Sequence, residues 1–278
     1  MTTTISKTPP DTVKAVPVRE YGRWAFLVVI VAALALVVRA FAGADIDYSV
    51  TREFLTASNV LTGLGNTVVI SVLAQALGIA LGVLFAILGR SRHREIRAVS
   101  AAYVWLFRGT PVIVQLLLWY NLALVIPEVT LPGIGSWQTN DLMTPFVAAL
   151  LGLGINEGAY MAEIVRAGID SVDEGQTEAA HALGMRRALT LRRIVLPQAM
   201  RVIVPPTGNE FVSMLKTSSL AYAIQYGELL QSAVKIYSNN LKIVELLLTV
   251  TIWYVVLTTV ATVLQRFLER RYSKGVRR

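Results

Sequence analysis

The chain of 278 residues has no cysteine and only two histidines, His93 and His181. Disulfides, thiolate metal sites and thiol catalysis are therefore excluded, and the two histidines fall in separate segments without a ligand partner nearby, so both read as surface residues. Charge is scarce too: 16% of residues are charged, against about 25% in an ordinary soluble domain. No Gly-x-x-x-x-Gly-Lys-Ser/Thr loop is present to cradle nucleotide phosphates, and neither His-Glu-x-x-His nor Gly-x-Ser-x-Gly occurs, so hydrolase chemistry has no visible nucleophile or zinc site.

What is abundant is apolar: 54% of residues are hydrophobic and mean hydropathy is +0.56. The apolar residues come in blocks long enough to cross a hydrocarbon layer ~30 Å thick. Six such segments are expected, at about 24–42, 60–88, 98–125, 142–165, 196–224 and 243–264. The net charge of +8 does not indicate nucleic acid, because the basic residues lie between apolar blocks and not on a folded basic face. Of the 26 Lys and Arg, 20 fall in or at the edges of alternate connections and in the two tails, three (Arg39, Arg108 and Lys216) lie within spans, and only Arg52, Lys235 and Lys242 are in the other three loops. By the positive-inside rule the rich side is cytosolic, which places both termini in the cytosol.

Residues 1–23 read as a disordered cytosolic tail, 24–59 as an N-terminal transmembrane helix with an outer loop, 60–272 as the main transmembrane domain and 273–278 as a basic cytosolic tail. Ala40-Phe41-Ala42 also fits a cleavable leader. Arg39 and the long tail favour an uncleaved helix, and cleavage would leave the other five spans in the same orientation. Pro127, Pro132, Gly133 and Gly135 mark a loop between the third and fourth spans.

The longest cytosolic connection, 171–197, contains Glu-Ala-Ala-His-Ala-Leu-Gly-Met-Arg-Arg at 178–187. Ser171 with Glu174 reads as a capping box, Ala179, Ala182 and Leu183 share a helical face, and Gly184 suits the left-handed position that ends a helix. Pro197 fits the first turn of the following span. Taken alone, this is also what a basic loop resting on anionic lipid headgroups would look like.

Glu178-Ala179-Ala180, three residues, Gly184, nine residues and Ile194-Val195-Leu196-Pro197 match in type and spacing the cytosolic signature of the integral-membrane permeases of ATP-binding-cassette importers. Gly63-Leu64-Gly65-Asn66-Thr67, Phe107-Arg108-Gly109-Thr110-Pro111, Asn156-Glu157-Gly158-Ala159-Tyr160 and Lys216-Thr217-Ser218-Ser219-Leu220 resemble the polar amino-acid branch of that family over about residues 60–272. The resemblance implies an all-α polytopic bundle of the type I importer class, set in a bacterial inner membrane. It implies as partners a second permease subunit, an extracytoplasmic substrate-binding protein and ATPase subunits that bind ATP and Mg, with no cofactor on this chain. The helix bearing Glu178, Ala179, Ala180, Ala182, Leu183 and Gly184, followed by Arg186 and Arg187, would be the coupling helix that seats on the ATPase.

Ionizable residues inside a membrane are costly and face a partner or a water-filled path. A zwitterionic substrate needs both charge signs along its route, so Glu157 or Glu210 is expected to favour the ammonium group and Arg108 or Lys216 the carboxylate. Asn66, Gln115 and Tyr160 offer hydrogen bonds. Each of these charges could equally be an ion pair that only holds helices together. A permease for another small solute, or a self-sufficient secondary transporter or channel, remains the alternative reading.

Overall fold

The computed structural model describes residues 21–133 and 135–272. The expectations for 1–20 and 273–278 lie outside the described residues. The chain divides after Ile46 into two compact units. The first holds α1 (Tyr21–Gly43), a run of Val, Leu and Ala that is apolar on every side and buries none of its residues, as suits a helix whose solvent is lipid.

The second unit begins with α2 (Tyr48–Leu55), capped by the Asp47 carboxylate, which accepts from Ser49 N at 3.1 Å. The long helix α3 (Ser58–Gly89) has 32 residues and spans ~48 Å at 1.5 Å per residue, more than the hydrocarbon thickness. It packs along α7 (Pro145–Asp170). Glycines allow the approach: a Cβ at Gly78 would lie 2.8 Å from Glu157 Cβ, and one at Gly82 the same distance from the Met161 carbonyl carbon. The Gly154 and Gly158 positions of α7 face Leu77, Leu81 and Tyr103 in the same way.

The third expected span is not one helix. It is α4 (Arg94–Gly109) and α5 (Val112–Tyr120), bent by 101° at the break. Pro111 lacks an N–H and pushes Thr110 out of the helical region, to ψ 143°. The carbonyls that lose their helical partners are bonded by a side chain instead: Gln115 Nε2 donates to Phe107 O at 3.0 Å, Thr110 O at 3.2 Å and Thr110 Oγ1 at 2.8 Å. The bend is thus a built elbow.

The loop marked by Pro127 and Gly133 is a hairpin of β1 (Glu128–Leu131) and β2 (Gly135–Gln138), antiparallel, with Glu128 opposite Gln138. A single turn, α6 (Thr139–Leu142), leads to α7, whose start at Pro145 is set by the Thr144 hydroxyl accepting from Val147 N. After α7 come α8 (Glu174–Ala182) and α9 (Arg187–Thr190), then a π-turn at Leu191–Val195 that runs directly into α10 (Leu196–Thr217). Pro197 stands in the first turn of α10, as expected, although the π-turn ahead of it makes the chain continuous there. The wider turn, with Leu196 N bonded to Leu191 O, takes up the register that proline disturbs.

The last part of the fifth expected span leaves α10 as a 3₁₀ segment (Ser218–Ile224), and the expected outer loop beyond it contains a left-handed Gln225 at φ 59° and a further helix, α11 (Leu229–Asn240). The last helix is α12 (Ile243–Tyr272). Among the described residues three helices, α1, α3 and α12, are long and apolar enough to cross a membrane, four if the bent α4–α5 pair counts as one span. At 26 and 22 residues, α7 and α10 have the length, but charges such as Glu157, Glu163, Arg201 and Glu210 remove the apolar signal. The largest core cluster joins Ile70 and Ala74, Leu116, Ala148 and Leu153, and Met214 from four helices, while Leu73, Leu84, Val256 and Phe267 point outward.

Candidate functional site

The elbow between α4 and α5, the middle of α7 and the middle of α10 enclose a cleft of about 530 Å³. Its walls carry Arg108 and Thr110 from the elbow, Asn156, Glu157 and Tyr160 from α7, and Glu210, Ser213 and Thr217 from α10. Four of the seven expected path residues, Arg108, Glu157, Tyr160 and Glu210, thus converge on one space. Because the elbow ends α4 at Gly109, Arg108 is delivered to the cleft from a helix terminus. Its guanidinium lies over the Tyr160 ring, 5.1 Å from the centroid, within cation–π range, and 3.8 Å from Glu163 Oε2. Glu157 is only 5% exposed. It is held by Gln75 of α3, whose Nε2 donates to Oε1 at 3.1 Å. Asn156 Nδ2 donates to Phe107 O at 2.7 Å and Tyr103 Oη to Ile155 O at 2.7 Å, so α7 is pinned to α4 beside the cleft.

The other three expected residues lie elsewhere. Lys216 is exposed and does not line the cleft. Six residues beyond Glu210 it is rotated by roughly 240° on the helix, which its charge alone does not reveal. Asn66 donates from Nδ2 to Gly227 O at 2.7 Å and so ties α3 to the turn before α11. Gln115 is buried in the elbow, as described. Both are thus engaged in bonds that hold elements together, and Asn66 also lines a separate cavity of about 740 Å³. Glu245 is 5% exposed and accepts from Asp47 N at 3.2 Å. Trp253 and Tyr254 are packing residues that donate to Leu55 O and to Glu228 Oε2.

The residue that sequence reasoning missed is Glu228, which is fully buried. Its carboxylate accepts from Leu230 N at 2.8 Å, Gln231 N at 2.7 Å and Tyr254 Oη at 2.9 Å. It caps α11 where two helices and a turn meet. The signal was an acidic residue directly ahead of an apolar pair, hidden because the segment read as a loop. Ser213 in the cleft carried no signal beyond being polar within a span.

In the connection between α7 and α10, α8 ends as expected: Gly184 has φ +76° and Met185 N bonds Ala180 O at 3.0 Å, the Schellman arrangement. The expected capping box is replaced. Asp173 is the cap, accepting from Gly175 N at 2.8 Å, while Ser171 Oγ donates back to Gly168 O. Asp173 sits one residue ahead of the first helical turn, whereas Ser171 still belongs to the end of α7. Ala179, Ala182, Leu183, Glu178, Arg186 and Arg187 are exposed, and Leu183 is 82% exposed. Ala180 differs: at 4% exposure it packs inward and is not part of the outward face. A groove of about 1050 Å³ runs between α8 and the α3–α4 connection, bordered by Arg90, Asp170, Glu178, His181 and Arg187. Among the described residues no cluster of His, Asp or Glu could hold a metal ion.

A helical bundle with a polar cleft that carries both charge signs, and with an exposed helix beside it, suits a transport subunit. Residues 78–274 match the family described as "Binding-protein-dependent transport system inner membrane component". The chain is 40% identical over 273 residues, 97% of its length and 86% of the relative's, to the arginine transport system permease protein ArgU of Corynebacterium glutamicum. It is 34% identical to the glutamine transport system permease protein GlnP of Escherichia coli K12, over 76% of this chain and 91% of that one. A crystal structure of an amino acid ABC transporter with histidines superposes with TM-score 0.71 at 34% identity, covering 82% of this chain and 100% of that one. The MetNI methionine transporter, at 20% identity and TM-score 0.62, shares the fold. The chain belongs to the binding-protein-dependent permease family. It is an all-α, membrane-embedded permease subunit of an ABC importer and not itself an enzyme. Membership implies a separate ATPase, a substrate-binding protein and a second permease subunit as partners.

Proposed function

We propose that this subunit forms the path of a polar amino acid into the cytosol, and that the cleft at the α4–α5 elbow is where the amino acid passes. One observation carries the reading: Arg108 shares a single 530 Å³ cleft with Glu157 and Glu210. A guanidinium offers a carboxylate a two-pronged, charge-assisted hydrogen bond, and a carboxylate does the complementary work for an ammonium group. The cleft thereby presents both signs to a zwitterion in a volume sized for a small molecule. The names of the arginine and glutamine permeases that the chain resembles support the same substrate class.

Both termini face the cytosol in this reading, and α8 seats on the ATPase through Ala179, Ala182 and Leu183. ATP and Mg are held by that partner, and the binding protein delivers substrate from outside. ATP favours one of two bundle arrangements by binding it better, and the permease follows through α8. The test is reconstitution of the permease with its ATPase and binding protein in liposomes, followed by uptake of a panel of labelled amino acids. ATP-dependent, binding-protein-dependent uptake of a competed amino acid is expected. Equal uptake without the ATPase would replace this reading with a self-sufficient transporter.

A further inference from the structure

One face of α7 carries Tyr160, Glu163, Arg166 and Asp170, spaced three, three and four apart, so that they stack along the helix. Their side chains form a ladder with partners at both ends. Arg108 of the cleft lies 3.8 Å from Glu163 Oε2, and the same oxygen accepts from Arg166 at 2.6 Å. Arg166 lies 3.9 Å from Asp170 Oδ2, and the other oxygen of Asp170 is paired with Arg90 of the α3–α4 connection. Arg108 lines the cleft, whereas Arg90 and Asp170 line the groove beside Glu178 and His181 of α8. The ladder therefore joins the two cavities, and its last rung on α7, Asp170, is the residue from which the coupling connection departs.

Resting on the amino-acid reading above, we infer that Glu163 is a positioning residue that competes with the substrate carboxylate for Arg108. Filling the cleft then shifts the ladder toward Asp170 and so signals occupancy to the coupling loop. Three observations fit that task. Arg108 is shared between an aromatic face and an anion 3.8 Å away, an arrangement it can leave when a better-placed carboxylate arrives. Glu163 keeps its short bond to Arg166 when Arg108 departs, so no buried charge is stranded. Every rung is a third to a half exposed, and pairs of that kind are individually weak, which suits exchange within a transport cycle better than a permanent clamp.

The experiment uses the full transporter with its ATPase and binding protein in liposomes, reading ATP hydrolysis against concentration of L-arginine, L-glutamine or L-histidine. Glu163→Gln removes the competitor for Arg108, so half-maximal stimulation should fall about two- to fivefold in concentration while maximal stimulation drops. Glu163→Asp, which keeps the charge, should recover most of the maximum. Asp170→Asn, remote from the cleft, should lower the maximum without moving the half-maximal concentration. Variants with both parameters unchanged, or with both lost together with ATPase co-purification, would overturn the relay and leave Glu163 a structural rung. A wild-type complex that responds to none of the three amino acids would overturn the substrate reading, and the carboxylate competition with it.

Discussion

At Gly184 the backbone stands at φ +76° and a Cβ built there meets nothing within 4 Å, so the demand for glycine is conformational and not steric. Gly184→Val should cost about 1–2 kcal/mol, read as a modest fall in thermal midpoint in detergent. The larger effect should be on hydrolysis stimulated by substrate, because the strain falls at the end of α8. Ala182 is exposed, and Ala182→Trp should leave folding unchanged while lowering ATPase co-purification roughly tenfold, the effect of ~1.4 kcal/mol at an interface. A loop resting only on lipid would tolerate or welcome the indole, so full co-purification would remove α8 from the coupling role. Gly184 was legible in the sequence because only a left-handed C-cap explains a glycine after an Ala-rich turn. The inward turn of Ala180 was not, since three alanines in five residues look alike until the neighbours are in place.

At the scale of elements, the α4–α5 elbow and the α3–α7 seam decide where the cleft lies. Gln115→Leu would keep the apolar volume but strip the elbow of three donated hydrogen bonds. Phe107 O would keep its bond from Asn156, but the donor to Thr110 O would be lost, which should cost about 1–3 kcal/mol, measured as a lower thermal midpoint, with transport reduced more than assembly. In the seam, Gly78→Leu would overpack against Glu157 and should cost about 1–3 kcal/mol or more. A variant as stable as the parent would mean that the two helices do not approach as described. Pro111 and Gly109 marked this region in the sequence, yet the apolar run on both sides of them reads as one straight span. Composition cannot separate a crossing from an elbow, because the side chain that makes the bend tenable, Gln115, is a single polar residue whose carbonyl partners lie on the other arm.

For the molecule as a whole, the six apolar or mixed segments and the signature that places the chain in its family were visible from spacing alone. What hid was the polar interior. α7 and α10 lose their apolar signal because they furnish the cleft, and α11 was masked as loop by its lysine and asparagines. Charge within a span singled out Glu210 and Lys216 alike, but the rotation that turns Lys216 away requires the neighbouring helices to be known. Single cysteines at Ser91 and Ala188 should label from the cytosolic side and those at Ser136 and Ser238 from the outer side. Labelling of position 188 only from outside would invert the bundle and separate α8 from any cytosolic ATPase.

The chain's lack of cysteine makes the cleft itself open to the same approach. Ser213 lines it and is exposed, so Ser213→Cys in the assembled transporter should react with a small, water-soluble thiol reagent. An amino acid held between Arg108 and the carboxylates of Glu157 and Glu210 would shield that thiol. The account predicts that saturating transported amino acid slows the reaction severalfold, and that Arg108→Gln abolishes the protection. A labelling rate indifferent to the amino acid, in a transporter that still imports it, would place the path elsewhere and contradict the account.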